Sequence, residues 1–118
     1  MDTTEKWISE ARAKADPQEL GMILTHTGIV RGSSKSGKRV GGMRLSFDQK
    51  KLDAIVPAFE QRPGIIEIRV WINHGDLKIG DDIMRLLVAG RFRTDVLPVF
   101  EEILSLIKND IVREEEIE

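Results

Sequence analysis

The residues of this 118-residue chain that are equipped for chemistry are mostly cations. Arg31 closes an apolar stretch, Arg91 and Arg93 precede a long amphipathic segment, and Lys108 stands near the end of that segment. Arginine offers a planar fork of donors to phosphate or carboxylate, and burial lowers a lysine's pKa far enough for acid, base or nucleophilic work. Each also has an ordinary reading. Arg31 can end a strand in solvent, and Lys108 can complement the negative end of its helix. The two histidines are weaker candidates. His26, between Thr25 and Thr27, reads as a strand-surface or hydrogen-bonded residue, and His74 in Asn73-His74-Gly75-Asp76 reads as an exposed turn. The chain has no cysteine, which excludes a thiol nucleophile, a disulfide scaffold and thiolate metal sites. Two histidines are too few for a histidine-rich metal site. No carboxylate pair has a spacing that predicts acid/base work, and Ser33, Ser34 and Ser36 lie in no nucleophile-elbow pattern.

Gly32-Ser33-Ser34-Lys35-Ser36-Gly37-Lys38 fits the opening of the nucleotide-binding P-loop, G-x-x-x-x-G-K. Two mechanical requirements fail. Arg39 stands where a Ser or Thr must reach magnesium, and Val40-Gly41-Gly42 leads into a strand instead of a helix whose N-terminus can face phosphate. The stretch remains a basic loop able to meet an anion with its side chains.

Around these residues the patterning predicts alternating elements. A helix is expected over 3–15, stopped by Asp16-Pro17. Residues 21–31 and 43–47 read as strands, and the span 21–47 as one long hairpin with a mobile, basic 32–42 loop. Leu52, Ile55, Val56 and Phe59 mark a helix that Pro57 should kink or delay. Strands follow at 65–72 and 83–89, the latter apolar enough to be buried, with turns between 73 and 80. Asp95 reads as the cap of a final helix bearing Val96, Leu97, Phe100, Ile103, Leu104 and Ile107, and Ile111-Val112 as a last short strand. Two hairpins separated by helices exclude a purely parallel sheet. The expected fold is α+β, a mostly antiparallel sheet with helices packed on one side, in a single domain of 1–118 with an N-terminal helix and linker over 1–20.

Net charge is −2, which excludes a whole-chain polycation for nucleic acid. The distribution is uneven. From Arg31 to Lys51 seven cations face one anion, Asp48, whereas the 110–118 tail carries five acidic residues against Arg113. Solvated loop and solvated tail account for both; the sharper reading is an anion site built on the basic stretch, and a further one is that the tail of the same or a partner chain masks it. The start lacks a signal-peptide apolar region, and no run approaches the ~18 apolar residues of a membrane span, so a cytoplasmic domain with no membrane partner is expected.

Three stretches resemble one family. Gly21 to Arg31, ending Gly28-Ile29-Val30-Arg31, is similar to the opening strand of the large, catalytic subunit of molybdopterin synthase (MoaE), with its G-x-V-R ending. Gly75-Asp76-Leu77-Lys78-Ile79-Gly80-Asp81 resembles the family's G-x-L-x-x-G-D before an apolar strand. The order of that strand, Arg93, a long helix and Lys108 matches the family's order of basic pair, helix and lysine. The resemblance spans roughly 20–113 and implies a MoaE-like α/β hammerhead and a role in molybdenum cofactor biosynthesis. It implies sulfur transfer from the Gly-Gly thiocarboxylate of a small ubiquitin-like, MoaD-like carrier to a cyclic pyranopterin monophosphate. Lys108 would be the catalytic lysine, Arg31 and Arg93 anion-binding groups, and the protein a homodimer with no cofactor of its own. A helix of ~1.5 Å per residue between Arg93 and Lys108 keeps them apart in one subunit, so the resemblance implies a pocket shared between two.

The chain also departs from the family's pattern. Phe92 precedes Arg93 where the family has a histidine, and His26 replaces a first-strand aromatic. The turn Ser46-Phe47-Asp48-Gln49 is shortened. Arg113, an expected anion-binding group, stands where a second lysine belongs only if a small deletion is allowed. Two readings follow: a sulfurtransferase subunit, or a divergent, non-catalytic homodimeric relative that has lost part of the site.

Overall fold

The computed structural model describes residues 3–117. In order the elements are α1 (Thr3–Lys14), β1 (Met22–Ile29), β2 (Gly42–Phe47), α2 (Gln49–Glu60), β3 (Ile65–Ile72), β4 (Gly75–Lys78), β5 (Asp82–Gly90), α3 (Arg93–Leu106), a π-turn (Ile107–Ile111) and β6 (Val112–Ile117). The fold is α+β and wholly antiparallel, but it holds two sheets, ordered β1-β5-β3 and β4-β2-β6. Placed end to end they make a molecule 50 Å long and 29 Å by 24 Å across.

The predicted 21–47 hairpin does not form. β1 pairs with β5, from Met22 opposite Gly90 to Gly28 opposite Met84, while β2 pairs with β4 and β6. The 32–41 segment therefore carries the chain from one sheet to the other. Its tip is folded on Ser34, whose N–H donates to Lys38 O and whose Oγ accepts from Lys38 N–H. The second hairpin does form, with β3 on β5, and the Asn73–Gly80 connection contains the short strand β4.

The first sheet is covered on both faces, not one. Leu24, His26, Met84, Leu86, Val88 and Ile68 share the face under α2 and α3, and His26 meets Phe100 of α3 edge to face. On the opposite face Leu87 and Ala89 are fully buried beneath α1, where Ala11 is buried and Glu10 pairs with Arg69. The apolar strand β5 thus finds cover within one chain, and its burial gives no argument for a second copy. Gly21 is fixed by this packing, since a Cβ there would lie 2.0 Å from Arg91 O.

α2 starts at Gln49 and runs through Pro57, so its start is not delayed. Asp48 caps it, accepting from Lys51 N–H at 3.1 Å. α3 starts three residues earlier than expected. Phe92 occupies its cap position without a side-chain hydrogen bond, and Asp95 is the third helical residue, directed toward Arg91 and the left-handed Gly64. A carboxylate there still opposes the positive end of the helix. The acidic tail is not a solvated coil. β6 pairs along its whole length with β2, Glu115 opposite Arg44.

Candidate functional site

Two of the four cations singled out in the sequence come together. Arg31, just past β1, and Lys108, on the π-turn after α3, line one cleft of about 690 Å³. A π-turn adds a residue to a helical turn and re-aims its side chains, and such turns are frequent at functional sites. Its end is held by Asp48 N–H, which donates to Ile111 O at 3.0 Å, so the cap of α2 also positions the Lys108 segment. Arg31 is oriented by its own neighbour, Nε donating to Ser33 O at 2.9 Å. The 32–41 connection brings Lys35 and Lys38 to the same cleft.

Two carboxylates complete the wall: Glu114 and Glu116 of β6. Side chains alternate along a strand, so these two face the cleft while Arg113 and Glu115 face away. Glu115 lies 3.7 Å from Arg44, which also donates to Asp76 at 2.8 Å. Arg113 lines a separate cavity with Phe47, Asp48 and Asp110, so it does not join Arg31 and Lys108. Arg93 is exposed at the N-terminal end of α3, the opposite end of that helix from Lys108, and lines no part of the cleft. The acidic tail therefore lies beside the basic stretch in the same chain, as a paired strand that contributes two carboxylates to the cleft wall.

His26 is half-buried in β1, under α3. Its Nε2 is buried without a partner. Burial lowers its pKa, and the nearby charge of Lys108 lowers it further, so the imidazole is held neutral beside the site lysine. Its parity with Leu24 in β1 is the signal that places it on the helix-covered face. His74 is exposed in its turn, as expected. Among the described residues no group of three or more His, Asp or Glu could hold a metal, and no helix is long and apolar enough to cross a membrane.

The MoaE protein family model matches residues 2–110. A probable molybdopterin synthase of Haloferax volcanii is 30% identical over 108 residues, covering 85% of this chain. The chain spans 41% of that relative's length. Among solved structures, molybdopterin synthase from Staphylococcus aureus superposes with a TM-score of 0.76 at 21% identity, covering 99% of this chain and 85% of that one. A complex of subunits 1 and 2 of the molybdopterin-converting factor from Helicobacter pylori gives 0.76 at 20% identity, covering 98% and 78%. These two structures are alike in fold. With a family model covering nearly the whole length and the elements of the fold in place, the chain belongs to the MoaE family.

Proposed function

We propose that this protein serves molybdenum cofactor biosynthesis as the large subunit of a molybdopterin synthase, in the cytoplasm. The observation that carries the reading is the meeting of Arg31 and Lys108, far apart in sequence, on the wall of one cleft with a surplus of positive charge. Both proposed reactants are anions: the thiocarboxylate of a carrier's Gly-Gly tail and the phosphate of a cyclic pyranopterin. Cations aimed at developing negative charge are the usual means of stabilising acyl and sulfur transfer. In this reading Lys108 faces the carrier's terminal carbonyl, and Arg31 holds an anionic oxygen through its donor fork. The neutral His26 behind Lys108 adds no competing positive charge.

Arg93 lies outside this cleft, at the other end of α3. We assign it to the cleft of a second copy in a homodimer, where it completes the anion site from across the interface. The alternative is a divergent homodimer that binds anions without transferring sulfur. Arg113 favours it, because it lines a different cavity and so does not stand in beside Lys108 for the family's second lysine.

The test is reconstitution with the host's own thiocarboxylated carrier and the cyclic pyranopterin. The expected result is dithiolene formation by the wild type and its loss in Lys108→Ala, with an unchanged melting temperature. A wild type that binds carrier and pterin yet forms no product supports the non-catalytic relative.

A further inference from the structure

The cleft holds a feature that an anion site alone does not need. Glu114 and Glu116 line it, and among the described residues neither carboxylate makes an ion pair or hydrogen bond. Two unpaired carboxylates weaken the binding of any simple anion, so their presence selects for a ligand with a second kind of group.

Resting on the reading of the substrate as a pyranopterin phosphate, we propose that Glu114 and Glu116 are its specificity-determining residues. They accept hydrogen bonds from the N–H donors of the 2-amino-4-oxopyrimidine ring, while Arg31, Lys35, Lys38 and Lys108 hold the anionic groups. A carboxylate matches the parallel donors of the ring N–H and the adjacent amino group, and such charge-assisted pairs are short and directional. Two residues apart on one strand, the two glutamates leave the backbone about 7 Å from each other, a spacing that suits a fused ring system lying along β6. Four cations against two carboxylates leave a surplus of two positive charges. That surplus equals the charge of one cyclic phosphodiester and one thiocarboxylate.

The strand is built as a fixed wall. β6 is paired to β2 at six positions, and it is held at one end by Asp48 N–H to Ile111 O and at the other by Gly41 N–H to Ile117 O. A strap that merely masks the cations and lifts away does not require anchoring at both ends. The alternation of β6 also provides an internal control, because Glu115 belongs to the same strand but faces Arg44.

The experiment is titration calorimetry of the full chain with three probes: 6-hydroxymethylpterin monophosphate, its lumazine counterpart with oxygen in place of the 2-amino group, and inorganic phosphate. The wild type is expected to prefer the pterin over the lumazine by about tenfold or more, as sites built to accept N–H donors do. The Glu114→Gln/Glu116→Gln double variant should lose that preference and bind inorganic phosphate more tightly, whereas Glu115→Gln should behave as wild type. An unchanged pterin preference in the double variant overturns the inference. So does equal tightening of all three ligands, the signature of a mask. In either case, phosphate binding that depends on Arg31 and Lys108 leaves the anion site standing. Loss of that dependence overturns the functional reading and the inference together.

Discussion

The two sheets divide the labour of the molecule. The first, β1-β5-β3, is clad on both faces, and its central strand β5 carries Leu86, Leu87, Val88 and Ala89 with at most 1% exposure. The second, β4-β2-β6, buries Gly42 and Leu45 in β2, Leu77 in β4 and nothing in β6. It places its polar side chains where they meet solvent, one another and the cleft. One sheet is a frame buried on both faces; the other is a rim that joins the core through Leu45 and Leu77 and leaves its outer strand β6 to backbone pairing. The candidate cleft lies on the seam, since Arg31 leaves the frame, Glu114 and Glu116 belong to the rim, and Lys108 sits on the π-turn linking frame helix to rim strand.

The comparison breaks most visibly at the frame. Leu86→Ala removes a side chain 1% exposed at the centre of the core, and is expected to cost about 2–5 kcal/mol. Chemical denaturation should show a lower midpoint at unchanged slope. A loss no greater than that of an exposed substitution such as Glu115→Ala contradicts the division. Hydrogen exchange sharpens the same contrast. Amides of β5 should exchange only with global unfolding, and those of β6 earlier, through local opening of an edge strand. Equal protection in both strands makes the two sheets one cooperative unit.

A smaller effect concerns His26, on the frame but beside the site. Its folded pKa lies below the ordinary 6.5, so the unfolded chain takes up the proton first. The stability from keeping it neutral is complete above pH 6.5 and declines as the pH falls from there through the folded pKa. His26→Phe keeps the edge-to-face partner of Phe100 and should flatten that part of the acid limb, read as melting temperature against pH. Identical acid limbs in the two proteins remove His26 from the account.

The frame was more legible than the rim. The apolar run 83–89 and the spacing of Leu52, Ile55, Val56 and Phe59 give their elements directly, because burial writes itself into periodicity. Pairing does not. β1 and β2 are joined by a single loop and look like a hairpin, yet each finds its partners elsewhere, and alternation within a strand says nothing of which strand lies next to it. β6 shows only its first residues, since Val112-Arg113-Glu114-Glu115-Glu116-Ile117 is an edge strand whose middle is charged. In the site, Arg31 and Lys108 were recognisable by motif and order, and the structure brings both to one cleft. Arg113 looked equivalent to its neighbours in a coil, and only the strand's alternation turns it away while turning Glu114 and Glu116 inward. Asp95 looked like a cap because a polar residue before an apolar run usually is one; α3 begins earlier because the chain leaves β5 at Gly90 and Arg91 N–H is already tied to Gly64 O.

Mixing subunits tests most directly whether the cleft of Arg31 and Lys108 is completed by Arg93 of a second copy, as proposed. Lys108→Ala and Arg93→Ala are each expected to be inactive in sulfur transfer at low substrate concentration, the first for lack of the lysine and the second for weak binding. Co-refolded in equal amounts, they should regain about a quarter of wild-type activity, because half the dimers are mixed and one of their two clefts is then intact. A mixture no more active than its components, from a preparation shown by light scattering to contain mixed dimers, contradicts the shared cleft.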